Sequence, residues 1–136
     1  MRTRLLLAVA ALVLGLVPAL AVAGTTSTTK LVAKMSGKAE VPRGALGGTG
    51  TATITITGSK VCWRFTYRGI GKPLASHIHK APRGKAGAVV VPLGGAFKPS
   101  GCTTSAIAKA IAANPSAYYV NIHTAKFPAG AIRGQL

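Results

Sequence analysis

The sequence predicts an all-β domain, an antiparallel β-sandwich or barrel carrying one short helix. Three observations lead there. Thr49–Thr57 and Val61–Arg68 alternate apolar and polar side chains with the period of two that a half-buried strand requires. Gly, Pro, Ser and Asn clusters break the rest of the chain into short segments. Only Thr103–Asn114 places apolar residues, Ile107 and Ile111, four apart on one helical face.

The first segment sets the compartment. Arg2 and Arg4 are followed by the apolar run Leu5–Leu16 and then by Ala21-Val22-Ala23, the three regions of a secretory signal peptide. Gly15 and Pro18 interrupt the run, so it falls short of the roughly 20 unbroken apolar residues a membrane span needs. Residues 1–23 are therefore expected to be cleaved, which leaves no transmembrane segment and places the product outside the cytoplasm. Residues 24–30, rich in Thr and Ser, read as a flexible tether, and residues 31–136 as the domain.

Leu31–Ser36 is the first predicted strand. It gives way to Gly37-Lys38-Ala39-Glu40-Val41-Pro42 and a flexible loop over Gly44–Gly48. In Thr49–Thr57 the residues Ala52, Ile54 and Ile56 share one face and the threonines the other. Val61, Trp63, Phe65 and Tyr67 form the inward face of Val61–Arg68. The tight turn Gly58-Ser59-Lys60 makes these two strands a hairpin. Ala75–Lys80 follows with two of the three histidines, then a Gly/Pro loop over Ala81–Gly87, the apolar strand Ala88–Leu93 and a loop over Gly94–Gly101. Thr103 or Thr104 is positioned to cap the helix, and Asn114-Pro115 to stop it. Tyr118–Thr124 and Ala131–Leu136 are the closing strands, joined through Pro128-Ala129-Gly130.

Charge excludes several chemistries. Arg2 and Arg4 leave with the signal peptide, so the mature chain sets 15 basic residues against Glu40, a net +14. With no acidic pair there is no paired-carboxylate hydrolysis and no acidic cage for calcium or magnesium. The charge favours anionic surroundings such as a cell-envelope polymer, lipid headgroups or nucleic acid, or an extracellular protein as partner. A basic, soluble surface with no specific partner is the competing reading. The basic residues are scattered singly, and none of the runs that mark a nucleic-acid arm is present. Cys62 and Cys102 are an even pair in an exported chain, which predicts a disulfide. A loop of that size contributes about 4 kcal/mol by the chain-entropy model.

The three histidines gather in two segments. His77 and His79 share one face of their strand, and His123 shares a face with Asn121. With Ile78, Val120 and Ile122 turned to the core, all three rings project from the outer face, in a semi-exposed site walled by the loops Ala81–Gly87 and Gly94–Gly101. Three neutral imidazoles in that arrangement suit copper or zinc with an open position. A structural hydrogen-bond cluster pinning the loops is the competing reading, and acid–base chemistry a third. Copper-zinc superoxide dismutase is similar in carrying a strand His-x-His pair outside an antiparallel barrel, and the likeness implies a Greek-key-like sheet. A fourth, bridging histidine and any Asp are missing, so a two-metal dismutase is not expected. Glu40, the sole acid, is expected to pair with Arg133 and tie the first loop to the last strand, and Asn121 to hydrogen-bond a loop backbone.

The motifs GKAEVP, HIH, YVNIHT and FPAGAIRGQL together resemble the signature of the CHRD domain, a module named for its repeats in chordin and found in single copies in secreted microbial proteins. The resemblance spans roughly Leu31 to Leu136, although Arg43 stands where the family's opening motif has a second proline. It implies an extracytoplasmic binding or interaction module. A copper- or zinc-binding protein using His77, His79 and His123 is the alternative, and an enzyme is the least supported class.

Overall fold

The computed structural model describes Gly24 and residues 26–136; the signal-peptide segment lies outside the described residues. Eight strands form one curled, half-barrel antiparallel sheet with a single short helix, the predicted fold class. In chain order they are β1 (Thr28–Ser36), β2 (Thr49–Thr57), β3 (Lys60–Arg68), β4 (Pro73–Lys80), β5 (Ala88–Pro92), β6 (Ser100–Thr104), β7 (Tyr118–Thr124) and β8 (Ile132–Gln135). The helix α1 is Ala108–Ala113.

The sheet order is β5-β4-β7-β8-β1-β2-β3-β6. β1 and β8, which join its two halves, share only the register pair Ser36↔Arg133. So narrow a waist lets the sheet fold over on itself, and the two inner faces enclose one core. Ala52, Ile54, Ile56, Val61, Trp63 and Phe65 come from one half, and Ile78, Val91, Val120, Ile122 and Ile132 from the other. Side chains of this size each contribute about 1.5–3 kcal/mol when fully buried.

Three elements differ from expectation. β1 begins at Thr28, so Thr28–Lys30 belong to the sheet, because Thr55–Thr57 of the β2 end offer them ladder partners. The helix is half the predicted length, since Thr103 and Thr104 are drawn into β6 by pairing with β3, Ser105–Ile107 form the turn that follows, and Asn114 is the C-cap. Ile107 rather than a threonine occupies the N-cap, and the preceding turn is closed by Ser105, whose carbonyl accepts from the Ala108 N–H. Tyr67 is 38 % exposed rather than core, and packs edge-on against Phe97 at 5.4 Å.

The disulfide Cys62–Cys102 forms as predicted, between residues directly opposite in the β3–β6 ladder.

Candidate functional site

β4, β7 and β8 lie side by side and present Ile78, Val120, Ile122 and Ile132, each 0 % exposed, to the core. Alternation then sends their neighbours to the opposite face. Register places His77, Asn121 and Arg133 in one row, His79, Tyr119 and Gln135 in the next, and Ala75 with His123 in a third. The predicted residues His77, His79, His123, Asn121, Arg133 and Glu40 all belong to this one outer face or to the loop over it.

That face is more closed than expected. His79 is 7 % exposed and Asn121 0 %, while His77 and His123 are half-buried. The loop Ala81–Gly87 does wall it, but Gly94–Gly101 does not. Phe97 in that segment stacks on Phe65, and the Lys98 carbonyl accepts from the Trp63 indole N–H at 3.0 Å, so the segment caps the aromatic end of β3 instead. Its place as a wall is taken by the Gly37–Gly44 stretch carrying Glu40 and by the turn through Pro128. Two glycines permit the approach. A Cβ on Gly130, whose φ is +138°, would strike the Glu40 carboxyl, and one on Gly87 would strike the Lys80 carbonyl.

Each histidine is held by a specific partner. His79 Nδ1–H donates to the Gly87 carbonyl at 2.9 Å, and His123 Nδ1–H donates to the Pro128 carbonyl at 2.9 Å. Both contacts fix the tautomer and leave Nε2 with its lone pair. His123 Nε2 then accepts from His77 Nδ1 at 3.0 Å. The rings of His77 and His123 lie 4.8 Å apart, and one nitrogen from each of the three histidines falls within 4.8 Å of the others. Burial and the two neighbouring histidines lower the His77 pKa to about 4, and burial lowers that of His79. Both rings are therefore neutral at physiological pH.

Asn121 departs from its expected role. Its Oδ1 lies 3.0 Å from His79 Nε2 rather than on a loop backbone. A neutral His79 that donates through Nδ1 brings a lone pair to this contact, so the amide must turn its NH2 toward the ring to close a hydrogen bond. Its oxygen then faces the Glu40 carboxyl. Glu40 Oε1 and Asn121 Nδ2 are both buried without a hydrogen-bond partner as placed, and this exchange supplies one to each if the carboxyl is protonated. Burial does raise the Glu40 pKa to about 7, against the opposing pull of Arg133. The Arg133 Nε to Glu40 Oε2 separation is 3.8 Å, a long contact for a pair 3 % and 2 % exposed. Two of the three guanidinium nitrogens are spent elsewhere, and Nη2 is buried without a hydrogen-bond partner. Nε donates to the Ala39 carbonyl at 2.6 Å, Nη1 to the Lys85 carbonyl at 2.8 Å, and the group lies 4.2 Å above the Tyr119 ring.

Tyr119 is the residue the sequence reasoning missed. It stacks on His79 at 4.7 Å with the rings 7° from parallel, and its hydroxyl accepts from the Gly87 N–H at 3.3 Å. The signal was available, since Tyr119 has the same strand parity as Asn121 and His123.

These shifts make a signed prediction for stability against pH. Glu40, raised in the folded state, stabilises most below pH 4.5 and loses that contribution as pH rises through 7. His77 and His79 act oppositely: their contribution is full above 6.5 and is lost as pH falls, toward about 4 for His77. Between pH 4.5 and 6.5, unfolding thus takes up protons at His77 and His79 and releases one at Glu40. His77 and Glu40 roughly offset each other, so the lowered His79 sets the sign: stability should rise with pH there and fall again above pH 6.5. In a His77→Gln/His79→Gln variant the slope between 4.5 and 6.5 should invert, leaving Glu40 alone. Urea titrations at four pH values would read it, and an unchanged slope would refute the buried-neutral assignment.

Comparison with known proteins gives one match. The model of the CHRD domain family matches residues 31–136. No curated protein and no solved structure matches the chain. The chain belongs to the CHRD domain family, an extracellular domain family.

Proposed function

For this CHRD-domain chain we propose an exported metal-binding module that holds one copper or zinc ion on His77, His79 and His123. The observation that carries the reading is the 3.0 Å between His77 Nδ1 and His123 Nε2. Two imidazole nitrogens bound to one ion at about 2.0–2.1 Å sit roughly 2.9–3.4 Å apart for square-planar to tetrahedral angles. The pair is therefore already at ligand spacing, and His79, with a nitrogen within 4.8 Å, becomes the third donor when Asn121 releases its Nε2 and the His77 proton moves from Nδ1 to Nε2. Backbone carbonyls orient His79 and His123, as the outer contacts of metal-bound histidines do. The lowered His77 and His79 pKa values mean that protons do not compete with the ion at neutral pH. Three neutral imidazoles with no carboxylate in reach favour copper(II) over zinc by the usual affinity order.

Export is supported by the N-terminal pattern, the disulfide and the family. Among the described residues no helix is long and apolar enough to cross a membrane.

Calorimetric titration with copper(II) and with zinc tests the reading. One equivalent should bind with a sub-micromolar Kd, and His77→Gln/His79→Gln should weaken it at least 100-fold while retaining a cooperative melt. Absence of binding by the unaltered protein, or equal binding by the folded variant, would return the histidines to a purely structural role.

A further inference from the structure

The other half of the sheet carries a second organised surface. On β1, β2, β3 and β6 the side chains facing away from the core fall into five rows set by strand register. They read Thr28–Thr57–Lys60–Thr104, Lys30–Thr55–Cys62–Cys102, Val32–Thr53–Arg64–Ser100, Lys34–Thr51–Thr66 and Ser36–Thr49–Arg68. Each row contains one basic residue. The basic residues alternate between the two strands flanking β2: Lys60 on β3, Lys30 on β1, Arg64 on β3, Lys34 on β1 and Arg68 on β3. All five are exposed, and between them runs the unbroken threonine column Thr49, Thr51, Thr53, Thr55 and Thr57. Glu40, the only acid in the chain, is buried over the opposite half, so nothing neutralises this face. Two shallow depressions follow the column, one beside Lys34, Thr51, Thr66 and Arg68, the other beside Thr53, Thr55, Arg64 and Ser100.

We propose that this face binds an extended polyol-phosphate chain laid along the β2 threonines, its successive phosphates taken alternately by basic residues of β3 and β1. The spacing is the argument. Rows two residues apart recur at about 7 Å along a strand, and β1 and β3 lie about 10 Å apart across β2. A phosphodiester chain with a three-carbon bridge has six bonds of about 1.5 Å between phosphorus atoms, an extended repeat of roughly 7 Å. One charge per row therefore meets one phosphate per repeat, and the threonine hydroxyls offer donors to the same oxygens and to the polyol. A single-stranded nucleic acid has the same six-bond repeat. It gains much of its affinity by stacking bases on exposed aromatic rings, and none stands in these five rows. The chemistry of the face thus fits the polyol chain better.

A 1,3-linked glycerol phosphate decamer is the probe, with a ten-phosphate oligothymidylate beside it. Five phosphate contacts predict a log–log salt slope near −3.5, hence affinity falling on the order of 100-fold between 50 and 200 mM salt. The variant Lys30→Gln/Lys34→Gln/Arg64→Gln should lose about two units of that slope and weaken binding at least tenfold at 50 mM salt. Lys72→Gln/Lys109→Gln/Lys126→Gln removes the same charge from exposed positions outside the rows and should weaken it less than threefold. Equal losses in the two variants would reduce the effect to net charge and overturn the site. Failure of the decamer to bind would overturn it as well. Thymidylate binding as tight as the decamer's would overturn the polyol assignment. Copper binding at the histidines should be unchanged in both variants, since the two faces share no residue.

Discussion

Arg133→Met is expected to lower the unfolding free energy by about 4 kcal/mol, in the range seen when one partner of a buried, hydrogen-bonded charge cluster is removed. The arginine is 2 % exposed, yet its role is not mainly that of an ion-pair partner. It bridges three pieces of backbone: β8, on which it stands, the Ala39 carbonyl of the first loop and the Lys85 carbonyl of the loop over the histidines. Methionine fills similar volume and leaves both carbonyls without a donor, at about 1–3 kcal/mol each where they are shut from water. It also removes the guanidinium from the face of Tyr119. Because the same contact holds the Lys85–Gly87 backbone, the variant should further loosen the Gly87 carbonyl from His79 and reduce metal affinity. Glu40→Gln gives the contrast. With the Glu40 pKa raised to about 7, the carboxyl is largely protonated at pH 5.5, and an isosteric amide should cost under about 1 kcal/mol there. Urea denaturation of both variants at pH 5.5 measures the difference. Comparable large losses in both variants would mean that the cluster is held by the ion pair after all.

The strong period-two signals were legible because they report burial directly. β2 and the inner half of β3 lie where alternation puts them, and so do the histidine face and its core-facing partners Ile78, Val120 and Ile122. What misled was local pattern overruled by distant pairing. Thr103 and Thr104 carry a good helix-start signal, but the ladder to Lys60 and Val61 claims them for β6. Thr28–Lys30 look like a tether until β2 supplies their partners. The site was half legible for the same reason. Strand parity located the rings, but which loop lies over them depends on the sheet order, so the Glu40 loop was not foreseen as a wall and Gly94–Gly101 was. The 3.0 Å contact between His77 and His123, 46 residues apart, rests on β4 and β7 being neighbours, which no local signal states.

Cys62→Ala/Cys102→Ala should be the other large loss, about 4 kcal/mol by the chain-entropy model. For one small domain with a net stability of about 5–15 kcal/mol, that approaches the margin on which folding depends. The position of the bridge makes most of this expectation. β6 is a five-residue edge strand, its only neighbour in the sheet is β3, and the bridged residues oppose each other in that single ladder. β4 and β5 lie within the bridged span, so the cross-link restricts the unfolded excursions of the strand that carries His77 and His79. Thermal melts with and without reductant, beside the double-alanine variant, should agree on a large downward shift in Tm. If the variant stays folded at low temperature, copper affinity measured there should equal that of the unaltered protein, because the histidines sit on the far half of the sheet from Cys62 and Cys102. A loss below about 1 kcal/mol would mean that the β3–β6 ladder and the Trp63 contacts hold the edge unaided. The unfolded chain would then already be restrained where the entropy model assumes it free.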